Sequence, residues 1–164
     1  MNHDVLRRYL ILAVFTLLLV VGLVSIFTRY HALAWITIVA VDLYIVCVLH
    51  IAALQSDDEN FVTRHAWVQN FFSGHNIALI VFTLQTFSIV FGFAGLYVGN
   101  KVFPSSKTPL DAFYISIFTL GFNNFSPTPG YGQWVVIAEL ISGILLIIGV
   151  FPMLISRISS FRLR

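Results

Sequence analysis

Long apolar runs alternate with short polar breaks along most of this chain. The runs cover about residues 9–27, 32–54, 77–98 and 134–155, and the first three contain no proline. Each is long enough to cross a bilayer as a helix, which takes ~20 mainly apolar residues. A shorter mixed segment, about 109–120, is too short to cross, and Gly, Asn, Ser and Pro follow it. Irregular backbone at membrane depth is tolerated only where it lines a cavity or is buried in protein. The pattern therefore predicts an all-α membrane protein with four transmembrane helices plus a re-entrant helix and loop. No internal repeat, low-complexity tract or soluble domain interrupts it.

Composition strengthens this reading. Of 164 residues, 59% are hydrophobic and 10% are charged, with a mean hydropathy of +0.92. A soluble domain carries about a quarter charged residues. Disorder, a coiled coil and an ordinary cytosolic enzyme are excluded. The net charge is only +2 and the basic residues are scattered, so nucleic-acid binding has no footprint. Cys47 is alone in an apolar run, which leaves no disulfide framework or Cys-based metal site within one chain.

Charge placement orients the spans. Arg7, Arg8, Arg64, Arg157, Arg162 and Arg164 lie on one side, and Arg29, Lys101 and Lys107 on the other. The positive-inside rule puts the richer side in the cytoplasm. Both termini of this multi-pass protein are then cytoplasmic, in the cell (inner) membrane, and the re-entrant segment enters from outside. Arg7 and Arg8 followed by Ala32-Leu33-Ala34 imitate a signal peptide. The apolar run exceeds the usual h-region of about 7–15 residues, so it reads as a true first span.

The chain divides into an N-terminal pair of spans (1–55), a linker (56–76) and a C-terminal unit (77–164). The linker opens on Asp57, Asp58 and Glu59, and Phe61, Val68 and Phe72 share one helical face. With Trp67 and Phe71 it reads either as a helix on the cytoplasmic membrane surface or as a polar loop with stray aromatics.

The candidate chemistry lies between Thr108 and Gly143. Thr108-Pro109-Leu110-Asp111 is a compact helix start: Thr108 caps, Pro109 suits the first helical position, and Asp111 sits three residues after the cap. The helix is expected to run to about Phe118, with its C-terminal carbonyls aimed into the membrane, where a cation is favoured. Thr119-Leu120-Gly121-Phe122-Asn123-Asn124 follows, then Phe125-Ser126-Pro127-Thr128.

A span, a re-entrant helix, a T-x-G-aromatic strip, a Ser-Pro-Thr turn and a final span resemble the pore domain of the tetrameric potassium channel superfamily. That family's strip reads T-V-G-Y-G-D, with T-L-G-F in many bacterial members. Asp111-Ala112-Phe113-Tyr114-Ile115-Ser116 resembles its pore-helix start, D-A-L-Y-F-S. Glu139 followed by Gly143 resembles its inner helix. The resemblance covers about 77–155, half the chain.

The resemblance implies a homotetrameric cation channel, with spans one and two as an extra outer layer among membrane lipids. Backbone carbonyls of four strips would replace the hydration shell of potassium or another monovalent cation. The Thr119 hydroxyl and the carbonyls of Thr119, Leu120, Gly121 and Phe122 would line the path, with Asn123 completing the filter. Asn124 and Glu139 would support it. Conduction is passive, with no cofactor and no covalent chemistry. Gly143 would be the flexible point of the inner helix, or else a site of close helix packing.

The strip departs from the family's pattern at three points. Asn123 replaces the second filter glycine; Asn is the least costly substitute where φ is positive. Asn124 replaces the family's acid, and Ile115 stands where some members carry its pore-helix partner. The distance from Asp111 to the strip is about three residues short, so either a turn is missing or the helix begins near Ser105. These departures keep open a weakly selective pore, or a non-conducting scaffold or accessory subunit that retains the pore fold.

Thr128-Pro129-Gly130-Tyr131-Gly132 contains Gly-Tyr-Gly, yet no helix leads into it. It reads as the turn into the last span, with Tyr131 and Trp134 as interfacial aromatics. Asp42 lies in mid-span, where a carboxyl is costly. It is either a proton or ion relay or a contact to a pore element, or a packing residue hydrogen-bonded to Tyr44, Thr83 or Gln85. A relay at Asp42 would make the protein a proton-coupled transporter. His50 reads as an interfacial histidine. No span carries the repeated arginines of a voltage sensor.

Overall fold

Backbone amides in an apolar run have no partner in a bilayer except one another, so these runs close into helices. The computed structural model describes residues 3–54, 75–104, 108–120 and 126–161. Its helices are α1 (His3–Thr28), α2 (His31–Leu54), α3 (His75–Asn100), α4 (Pro109–Leu120) and α5 (Tyr131–Phe161). Four of them, α1, α2, α3 and α5, are long and apolar enough to cross a membrane. The linker 56–74 lies outside the described residues, and so does the stretch 121–125.

A tight reversal joins α1 to α2, and α3 ends in the same way. Arg29 and Lys101 adopt φ of 55° and 50°, the left-handed conformation that ends α1 and α3 immediately after their last helical residues. The amide of Thr128 donates to the Val102 carbonyl at 2.8 Å, which ties the return into α5 against the end of α3. The Tyr131 hydroxyl accepts from Trp35 Nε1 and from Asn100 Nδ2, each at 3.3 Å. The α1–α2 turn, the end of α3 and the start of α5 therefore share one end of the bundle.

The second half of α3 is the axis of the molecule. Ile89, Phe93, Ala94, Leu96 and Tyr97 have no exposed surface. Helix α1 packs on α3 and α2; α2 reaches both α3 and α5; α4 is wedged between α3 and α5. The N-terminal pair thus lies against α3 and α5 of the C-terminal unit.

Small residues permit this close approach. A Cβ on Gly92 would sit 2.7 Å from Ile38 of α2, and one on Gly95 would sit 2.2 Å from Ser25 Oγ of α1. Ser25 is itself pinned, donating to the Gly22 carbonyl at 2.6 Å. Membrane helices gain association energy from such backbone proximity. Gly95→Ala is accordingly expected to destabilise the bundle by about 1–3 kcal/mol through overpacking. A lowered thermal midpoint in detergent checks this, with partial recovery when Ser25→Ala removes the nearest atom.

Candidate functional site

Helix α4 starts where its capping sequence starts it. The Thr108 amide donates to Asp111 Oδ2 at 3.0 Å, and the Asp111 amide donates to Thr108 Oγ1 at 3.1 Å. This reciprocal pair satisfies two of the free donors at a helix N-terminus. With the cap at Thr108, the helix begins at Pro109 and not near Ser105. Its 12 residues span about 18 Å, a little over half of a hydrocarbon core of about 30 Å.

The far end corrects an expectation. The helix runs through Thr119 and Leu120 instead of stopping at Phe118. The carbonyls of these two residues therefore belong to a last helical turn, not to an extended strip. They are among the four carbonyls for which a helix has no internal partner. Gly121, Phe122, Asn123 and Asn124, the remainder of the expected filter, lie outside the described residues.

One face of α4, formed by Ala112, Ile115, Ser116 and Thr119, is buried. The i, i+3, i+4, i+7 spacing directs it into the groove between α3 and α5. Phe113 meets Phe91 of α3 with ring centroids 5.3 Å apart. The opposite face keeps Leu110, Tyr114 and Ile117 exposed.

Glu139 of α5 fastens this groove. It is fully buried and both carboxyl oxygens are used. Tyr97 of α3 donates its hydroxyl to Oε2, and Ser116 of α4 donates to Oε1. The Ser116 oxygen also lies 3.1 Å from the Val90 carbonyl of α3. Tyr97 is held in turn by an edge-on contact with Phe103, centroids 4.9 Å apart. A single carboxyl thus joins three helices at the depth of the last turns of α4.

One turn along α5, Gly143 receives the tip of α4. A Cβ there would sit 2.9 Å from Leu120 Cδ2. The structure therefore gives Gly143 a packing reason, and α5 continues through it as one helix. Glu139 and Gly143, four residues apart, present the same face to α4.

Asp42 contacts α5, as one of its expected readings had it, through a donor other than Tyr44, Thr83 or Gln85. Ser142 of α5 donates to Asp42 Oδ2 at 2.7 Å. Tyr44 instead packs edge-on against Phe15, centroids 4.8 Å apart, and the Thr83 hydroxyl bonds its own helix at Leu79. The reason is rotational: the Asp42 side of α2 faces α5. His50 is exposed near the far end of α2. The Thr128–Gly132 segment is a turn into α5, with Gly130 at φ 81°.

Sequence reasoning missed Tyr97, Ser116 and Ser142. The available signal was that a buried polar group needs a partner, so the acids Glu139 and Asp42 each required donors on neighbouring helices. Among the described residues, no group of three or more His, Cys, Asp or Glu could hold a metal ion.

Comparison with protein families finds a match to an ion channel model over residues 77–160, which takes in nearly all of α3 and α5 and the whole of α4. Comparisons with curated proteins and with solved structures find no match.

Proposed function

The chain belongs to the ion-channel family, and on that premise we propose that four copies assemble into a channel that conducts potassium passively. It is a multi-pass membrane protein with a potassium-channel-like pore unit. In the proposed assembly, α4 is the pore helix, α5 lines the axis and residues 119–123 form the filter. The observation that carries this reading is the clamp on α4. A short capped helix ends inside the protein, held at its last turns by Glu139, and its last carbonyls, those of Thr119 and Leu120 among them, have no partner within the helix. That arrangement favours a cation at the helix end and fixes the origin of a backbone-lined filter.

The permeant ion is the only ligand the mechanism requires. The carbonyls of Thr119 and Leu120 at the end of α4 and those of Gly121 and Phe122 face the ion in this assembly, while the Thr119 side chain stays on the buried face of α4. Asn124 supports the outer end of the strip, and Gly143 seats the tip of α4 against α5. The proposed topology places both termini in the cytoplasm and α4 entering from outside the inner membrane. Asn123 and Asn124 favour a second reading, in which the same pore is weakly selective or has become a non-conducting scaffold.

Assembly is the first test. Native mass measurement in lipid nanodiscs is expected to give four times the 18.4 kDa of one chain. A monomer or dimer at all lipid ratios overturns the pore, because one chain supplies one strip.

A further inference from the structure

We propose that the Asp42–Ser142 hydrogen bond couples the N-terminal spans to the pore, so that α2 acts as a lever on the pose of α4 through one turn of α5. The inference rests on the pore reading above.

Residues 139, 142 and 143 lie within a single helical turn, where positions i, i+3 and i+4 are neighbours. Two of them address α4: Glu139 bonds Ser116, and Gly143 receives Leu120. The third, Ser142, addresses α2. A rotation or shift of α2 that carries Asp42 with it turns Ser142, and the same rigid turn moves both supports of α4. Because packed interfaces switch between discrete arrangements, small shifts at such a joint are amplified.

The two acids differ in how completely they are satisfied. Glu139 uses both oxygens. Asp42 uses only Oδ2, and its Oδ1 is buried with no hydrogen-bond partner. A packing contact between α2 and α5 has no need of a carboxyl, whose placement in a span is costly. Glu139 reads as a fixed brace. Asp42 is a tie with less to lose when it opens, as a gating joint requires.

The test combines four variants of the full chain. Ser142→Ala removes one buried oxygen atom, and Asp42→Leu removes the acceptor. The double variant removes both, and Asp42→Asn keeps an acceptor oxygen. Two readouts are taken: hydrogen exchange of the α4 amides in nanodiscs, and the open-to-closed ratio of single channels in planar bilayers. Interhelical hydrogen bonds in membranes have strengths that correspond to about three- to twentyfold in such ratios. Ser142→Ala and Asp42→Leu are expected to accelerate α4 exchange and to shift the open-to-closed ratio by that order, with unitary conductance unchanged. The double variant is expected to match the singles, and Asp42→Asn to match the wild type. Exchange changes confined to α2 and α5, additive effects, or an Asn variant that behaves like Leu overturn the coupling. A wild type that never conducts defeats the pore reading instead, and the exchange pattern then still decides for or against the coupling.

Discussion

Replacing Glu139 with alanine is expected to abolish conduction and to loosen the α3–α4–α5 groove. The change strips an acceptor from two buried hydroxyls at once, those of Tyr97 and Ser116. A buried hydroxyl that loses its acceptor costs about 1–3 kcal/mol; Ser116 keeps the Val90 carbonyl at 3.1 Å, so the loss is roughly 1–3 kcal/mol per chain. No compensating solvation exists, since Glu139, Ser116 and Tyr97 have no exposed surface. Thermal unfolding of purified protein in detergent, read beside ion flux, checks the expectation. Glu139→Gln keeps one acceptor oxygen and is expected to fall between the wild type and the alanine variant. If alanine leaves both stability and flux intact, Glu139 is not the brace of α4.

The second large effect is expected at Gly121. In the proposed filter the backbone there must turn a carbonyl toward the axis, a conformation that a side chain resists by about 1–3 kcal/mol. The proposed assembly brings four copies to one axis, so each chain carries the same penalty. Gly121→Val is expected to reduce potassium flux to background and to lower the thermal midpoint, with the tetramer retained on native mass measurement. The reverse change at a neighbouring site has the opposite sign: Asn123→Gly restores the family's second glycine and is expected to raise the preference for potassium over sodium. Reversal potentials under mixed gradients measure that preference. A Gly121→Val channel that conducts normally places the filter elsewhere in the chain.

Much of the architecture was legible because it follows from backbone chemistry. Apolar runs of spanning length became α1, α2, α3 and α5, each extending a little beyond its run at one or both ends. Thr108 and Asp111 announced a capped helix start, and both hydrogen bonds of that cap are present. The turn at Gly130 was readable from Pro129-Gly130 for the same local reason.

What was less legible depends on rotation about helix axes. A helix that is apolar on every side gives no periodic signal of which face meets which neighbour. Glu139 was visible as an acid behind the strip, whereas Tyr97 and Ser116 became its partners only once α3, α4 and α5 were packed. Asp42 shows the same limit: Tyr44, Thr83 and Gln85 were reasonable donors by type, but its side of α2 meets Ser142 of α5. The end of α4 moved from Phe118 to Leu120 because nothing in Ile117-Phe118-Thr119-Leu120 stops a helix before Gly121. The glycines of α3 carried a packing message that needed the distances to Ile38 and Ser25 to be read.

The most direct test of the central claim is ion flux through the purified wild-type protein. The chain is reconstituted into potassium-loaded liposomes, diluted into potassium-free buffer, and followed by a potassium-sensitive dye, with sodium-loaded vesicles in parallel. The channel account predicts a protein-dependent potassium efflux that runs down either gradient without a proton gradient, and a slower sodium efflux. Vesicles that pass neither potassium nor sodium under any gradient or potential contradict it and leave the non-conducting scaffold as the reading of this pore fold.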